Sequence, residues 1–88
     1  MTKELEIATI SAIISNYKFA EIYTYKNNGY IATAELIANW SIEFYEKYKN
    51  VDWEDLLETP EKYDFNKTTM CWDDAIMEFV DKKLQNDK

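Results

Sequence analysis

Apolar residues recur at helical spacing most cleanly between Thr33 and Asn50, in the run TAELIANWSIEFYEKYKN. At 100° per residue, Leu36, Trp40, Phe44, Ile37, Tyr48, Ser41 and Tyr45 fall around one half of a helical wheel. Glu35, Glu43, Glu46, Asn39, Lys47 and Lys49 take the other half, with Ile42 and Ala38 at its edge. Thr33 is the expected N-cap, and Glu35, Lys47 and Lys49 complement the helix dipole at the two ends. The pattern predicts a helix over about 33–49 as the central core element. Burying Leu36, Ile37, Trp40 and Phe44 contributes roughly 6–12 kcal/mol, an upper bound because the unfolded chain already hides some of that area.

Residues 2–27 carry two patterns. Ile10, Ile13, Ile14 and Tyr17 have helical spacing, supported by Ala8, Ala12 and Ala20. Tyr17, Phe19, Tyr23 and Tyr25 alternate as in a strand, and Asn28-Gly29 is a hairpin signal. A hairpin would have to consume residues of the stronger helix that follows. The helical alternative is a helix over about 3–25 with room for a kink near Asn16, closed by Asn27-Asn28-Gly29 with Gly29 as C′ residue and Tyr30 as its hydrophobic contact.

After Asn50, Asp52 caps a short helix over about 52–58, with Glu54 and Asp55 in its first turn and Leu56 and Leu57 facing inward. Pro60 suits the first position of a further turn, and 63–69 reads as a loop. A last helix over about 71–85 carries the stripe Trp72, Ala75, Ile76, Phe79 and Val80. Asp73 and Asp74 lie in its first turn and Lys82 and Lys83 in its last; fraying is expected over 86–88. The fold expected is all-α: a single-domain bundle of three main helices plus a short one, with an N-terminal β-hairpin (α+β) as the alternative.

Composition narrows the function. The 88 residues hold 17 acids and 10 lysines, a net charge of −7, with no arginine and no histidine. The excess is uneven: residues 1–42 carry four acids and three lysines, net −1, and residues 43–88 carry thirteen acids and seven lysines, net −6. This argues against direct nucleic-acid binding, which relies on basic patches, and against an anionic membrane surface. Cys71 is the only cysteine, so no internal disulfide forms, as suits a cytoplasmic protein. No signal peptide and no transmembrane span is legible.

Catalysis finds little support. No imidazole is present to activate a nucleophile, and Cys71 beside Trp72 reads as a small buried hydrophobe. Neighbouring carboxylates such as Asp73-Asp74 and Glu54-Asp55 point about 100° apart on a helix and have helix-start roles. The stretch from Asp64 to Thr68 opens like a calcium loop but then meets Thr69 where glycine belongs and Ala75 where glutamate belongs, so it reads as an Asx-type turn. No catalytic residue, metal site or cofactor is expected. A helix-turn-helix over 30–48 is disfavoured because Asp52, Glu54 and Asp55 would face phosphate.

What remains is surface. Asp74, Glu78 and Asp81 form one ridge of the last helix, and Asp52, Glu54, Asp55 and Glu58 cluster on the short one. Such a face keeps a small aromatic-rich domain in solution. It also suits docking on a basic protein partner, because acids one turn apart lie ~5–6 Å from each other, comparable to neighbouring phosphates. In composition the chain resembles, as a class, the small acidic inhibitors carried by phages and mobile elements. Tyr17, Tyr23, Tyr25, Tyr30, Tyr45, Tyr48 and Tyr63, with Trp40, Trp53 and Trp72, exceed what a three-helix core buries. Homodimerisation through surplus aromatics is therefore the alternative use of the surface.

Overall fold

Ile10, Ile14 and Ile22 bury fully along one side of the first helix, and that stripe sets how the chain packs. The computed structural model describes residues 2–25 and 29–86. Over these, the elements are α1 (Lys3–Tyr25), α2 (Gly29–Tyr48), α3 (Trp53–Glu58), a 3₁₀ turn (Pro60–Tyr63) and α4 (Trp72–Asn86). The architecture is all-α, and the β-hairpin alternative is not seen: Tyr17, Phe19 and Tyr23 lie in helix. Asn27, Asn28 and the side chain of Tyr25 lie outside the described residues, as do 87–88 of the tail expected to fray.

α1 breaks at Lys18 (φ −139°, ψ 24°), two residues beyond the position expected for a kink. The stripe Ile10, Ile14, Ile22 has Lys18 as its missing i+4 member, so a regular helix would aim an ammonium at the core. The break lets Lys18 leave for Glu21 Oε1 at 3.0 Å, above the ring of Tyr17.

α2 begins four residues before the expected start, which corrects the expected N-cap. Gly29 turns the chain with φ +69°, a conformation that costs glycine nothing, and Tyr30 packs on Phe19 and Tyr23 at centroid distances of 5.9 and 5.3 Å. Thr33 consequently lies in the second turn of α2, fully buried, and its hydroxyl has no hydrogen-bond partner among the described residues.

α1 lies chiefly along α2 and, less extensively, against α4. Ser11 donates to Ser41 Oγ at 2.8 Å, and Ser41 donates to the Ile37 carbonyl at 2.7 Å, so this polar contact is satisfied inside the α1–α2 seam. The core collects Ile37, Trp40, Phe44 and Tyr48 from α2, Leu56 from α3, Phe65 from the loop, and Ala75, Ile76, Phe79, Val80 and Leu84 from α4. Phe44 meets Phe79 edge-on at 5.4 Å and Tyr48 at 4.8 Å, and Tyr48 meets Phe65 at 5.2 Å. Leu36, expected in the core, is only half-buried.

Asp52 caps α3 by accepting from the amides of Glu54 (3.0 Å) and Asp55 (3.4 Å). Leu56 is fully buried, but Leu57 keeps 37% of its surface exposed, correcting the expectation that both face inward. A six-residue helix lying on a core buries a stripe about one residue wide, and Leu57 sits 100° away from it. Pro60 starts the 3₁₀ turn, and Asp64 ends it in the left-handed region (φ 65°). Cys71 is exposed, not buried. α4 starts after it, and its carbonyl accepts from the Ala75 amide at 3.2 Å, so Cys71 stands at the helix entrance instead of on the buried stripe.

Candidate functional site

The seven carboxylates singled out by charge and spacing divide into two groups. Five already hold the fold together. Asp52 is the α3 cap. Asp55 accepts from Lys62 Nζ at 2.9 Å and from the Tyr63 hydroxyl, and these two donors hold its carboxyl below the usual carboxylate range. Asp74 accepts from the Met70 amide at 3.0 Å. Glu78 accepts from the Asn66 amide at 2.6 Å and from Thr69 Oγ1 at 2.9 Å, with Lys82 at 3.9 Å. Asp81 accepts from the Tyr17 hydroxyl at 2.9 Å. Burial, and then that bond, raise the pKa of Tyr17 above its ordinary value.

The physical reason for this grouping lies in the 64–71 segment. It has no regular structure, so its backbone donors need acceptors from elsewhere. Asp74 and Glu78, one turn apart on α4, supply them. Lys82, one turn further on, donates to the Asp64 carbonyl and lies over the Phe65 ring. Inside the loop, Asn66 Oδ1 accepts from the Thr68 amide (3.1 Å) and hydroxyl (3.0 Å), an Asx turn.

The remaining two, Glu54 and Glu58, are exposed on α3 one turn apart. Among the described residues no hydrogen bond or ion pair engages either side chain, and the same holds for Glu61 and Asp73. Their charge is directed only at solvent.

Among the described residues, other carboxylates line two larger concavities. A groove of about 560 Å³ runs between α1, the 66–69 loop and α4, with Tyr17, Asn66, Thr69, Asp74, Glu78 and Asp81 among its walls. Three of the predicted carboxylates are brought together there, each with an oxygen in an internal bond. A second cleft of about 320 Å³ is lined by Glu6, Trp53, Leu57 and Trp72. Glu6 was not anticipated as a site residue: with Glu4 it reads as an acid complementing the start of α1, and it carries no further signal until Trp53 and Trp72 come to lie beside it. The surplus of aromatics pointed to unburied rings without saying which. Trp40 and Tyr48 enter the core, whereas Trp53 and Trp72 stay half-buried around this cleft and Tyr30 is 73% exposed.

Among the described residues no helix is long and apolar enough to cross a membrane. No protein-family model matches the chain, and no curated protein or solved structure is significantly similar to it.

Proposed function

We propose that this protein is a small acidic interaction module, an inhibitor or regulator without catalysis of its own, that acts in the cytoplasm by docking its carboxylate-rich second half on a basic protein. The observation that carries the reading is the pair Glu54 and Glu58, exposed, one turn apart and unpaired among the described residues, in a half-chain of net charge −6. A carboxylate with no internal partner contributes its full field to an approaching cation, so such a face steers and orients a basic partner. A nucleic-acid-binding enzyme is the partner class that presents a matching basic surface. The test is affinity capture from the native host, followed by titration of the purified partner with wild-type protein and with Glu54→Lys/Glu58→Lys. The double reversal is expected to weaken binding about tenfold, from two rim charges inverted. Unchanged affinity removes the proposal.

A second reading rests on the other end of the molecule. Tyr30 and Ile31 are 73% and 85% exposed beside the Phe19–Tyr23 pair. Homodimerisation through this aromatic patch predicts concentration-dependent mass in sedimentation that is insensitive to salt. An acidic interface weakens steeply with salt.

A further inference from the structure

The Trp53–Trp72 cleft has the composition of a cation receptor. The two indoles stand nearly perpendicular (86°) with centroids 6.4 Å apart, so one ring presents a face where the other presents an edge. Leu57 adds apolar wall, and a smaller recess of about 30 Å³ shares Glu6, Trp53 and Trp72 and is backed by Phe44 and Tyr45. Glu6 is half-buried, and among the described residues neither a donor nor a cation engages its carboxylate. Among the described residues no lysine lines the larger cleft; Lys49, at the recess, is engaged by Glu46 at 2.8 Å. Glu54, Glu58 and Asp73, each adjacent in sequence to a cleft residue, add unpaired negative charge.

A purely apolar occupant would strip water from Glu6 and give nothing back. A strongly hydrated ammonium gains less from an indole face than a planar guanidinium, which stacks on the ring while its fork of N–H donors reaches a carboxylate. We infer that the cleft of Glu6, Trp53, Leu57 and Trp72 receives an arginine side chain of a basic protein partner. This rests on the acidic docking module proposed above and names the contact that gives it specificity: the acids attract, and the cleft selects guanidinium.

The test uses the ¹⁵N-labelled full chain titrated with nona-arginine and, separately, with nona-lysine at ~0.15 M salt, where long-range attraction is largely screened. The chain has three tryptophans, and Trp40, only 5% exposed, is an internal reference. The indole N–H signals of Trp53 and Trp72 are expected to shift saturably with nona-arginine while that of Trp40 stays in place. Glu6→Gln removes no internal bond and is expected to weaken binding about tenfold, the loss of a charge-assisted contact. Binding that is unaffected by Glu6→Gln yet lost in Glu54→Lys/Glu58→Lys overturns the cleft and leaves the acidic docking module standing. Equal affinity for nona-lysine overturns the guanidinium assignment. No binding of either peptide overturns both.

Discussion

Replacing Glu78 with alanine removes the two carboxylate oxygens that hold residues 66–69 against α4, Oε1 accepting from the Asn66 amide at 2.6 Å and Oε2 from the Thr69 hydroxyl at 2.9 Å. A hydrogen bond to a charged group contributes about 1.5–3 kcal/mol when water is excluded. The Glu78 side chain is 22% exposed and the Asn66 bond faces solvent, so water replaces part of that bond, whereas Thr69 is 4% exposed and its hydroxyl is left with little. Relief of like charge between Asp74, Glu78 and Asp81 returns a few tenths of a kcal/mol. The balance is a loss of about 2–3 kcal/mol, or roughly 10–20 °C in Tm for a domain of this size. Glu58→Ala is the matched control, also a glutamate on a helix but without an internal partner, and its expected change is within about 0.5 kcal/mol. Urea unfolding followed by far-UV circular dichroism measures both. Equal stability of the two variants would refute the division of the acids into structural and free groups.

Thr33→Val, which removes a fully buried and unpartnered hydroxyl while keeping the shape, is expected to stabilise the fold by about 1–2 kcal/mol in the same assay. Gly29→Ala meets nothing within 4 Å but must adopt φ +69°, so a loss of about 1 kcal/mol is expected from backbone strain alone. Asp55, held below its ordinary value by Tyr63 and Lys62, supports the fold at neutral pH; that contribution fades as pH falls from about 4 through its lowered pKa, and Asp55→Asn should flatten the acid limb of a stability–pH curve. Tyr48 moves oppositely. Burial, and then the charges of Asp64, Glu78 and Glu43, push it up from about 10 to about 12, so the fold retains a proton that the unfolded chain releases. Stability should therefore fall between pH 10 and 12, and Tyr48→Phe should lessen that fall.

Local chemistry was legible, and partnerships across the chain were not. Asp52 caps α3 because its carboxylate reaches amides two and three residues on, a relation visible in any window of the sequence. Of the expected stripe on α4, Ala75, Ile76, Phe79 and Val80 sit in the core as their spacing requires, whereas Trp72, at the helix entrance, stays half-buried. α2 starts at Gly29, ahead of the cap expected at Thr33, because Gly29 lets the chain turn before Tyr30 and aromatic contacts with α1 stabilise the added turn. The ridge Asp74, Glu78, Asp81 was visible as charge, but its occupants come from Met70, Asn66, Thr69 and Tyr17, up to 64 positions away. An irregular loop with donors to satisfy is a signal in principle, but it does not say which acids will face it. Charge reversal on that ridge perturbs folding as well as any docking, because each of its acids holds an internal hydrogen bond. Glu54 and Glu58 separate the two.

Docking of a basic partner by the free acids on α3 is decided by the affinity of the captured partner for wild-type protein and for Glu54→Lys/Glu58→Lys, measured across a salt series. A loss of about tenfold is expected in the variant at ~0.15 M salt, shrinking as salt rises and screening takes over. Equal affinities throughout, with no salt dependence for either protein, would contradict it.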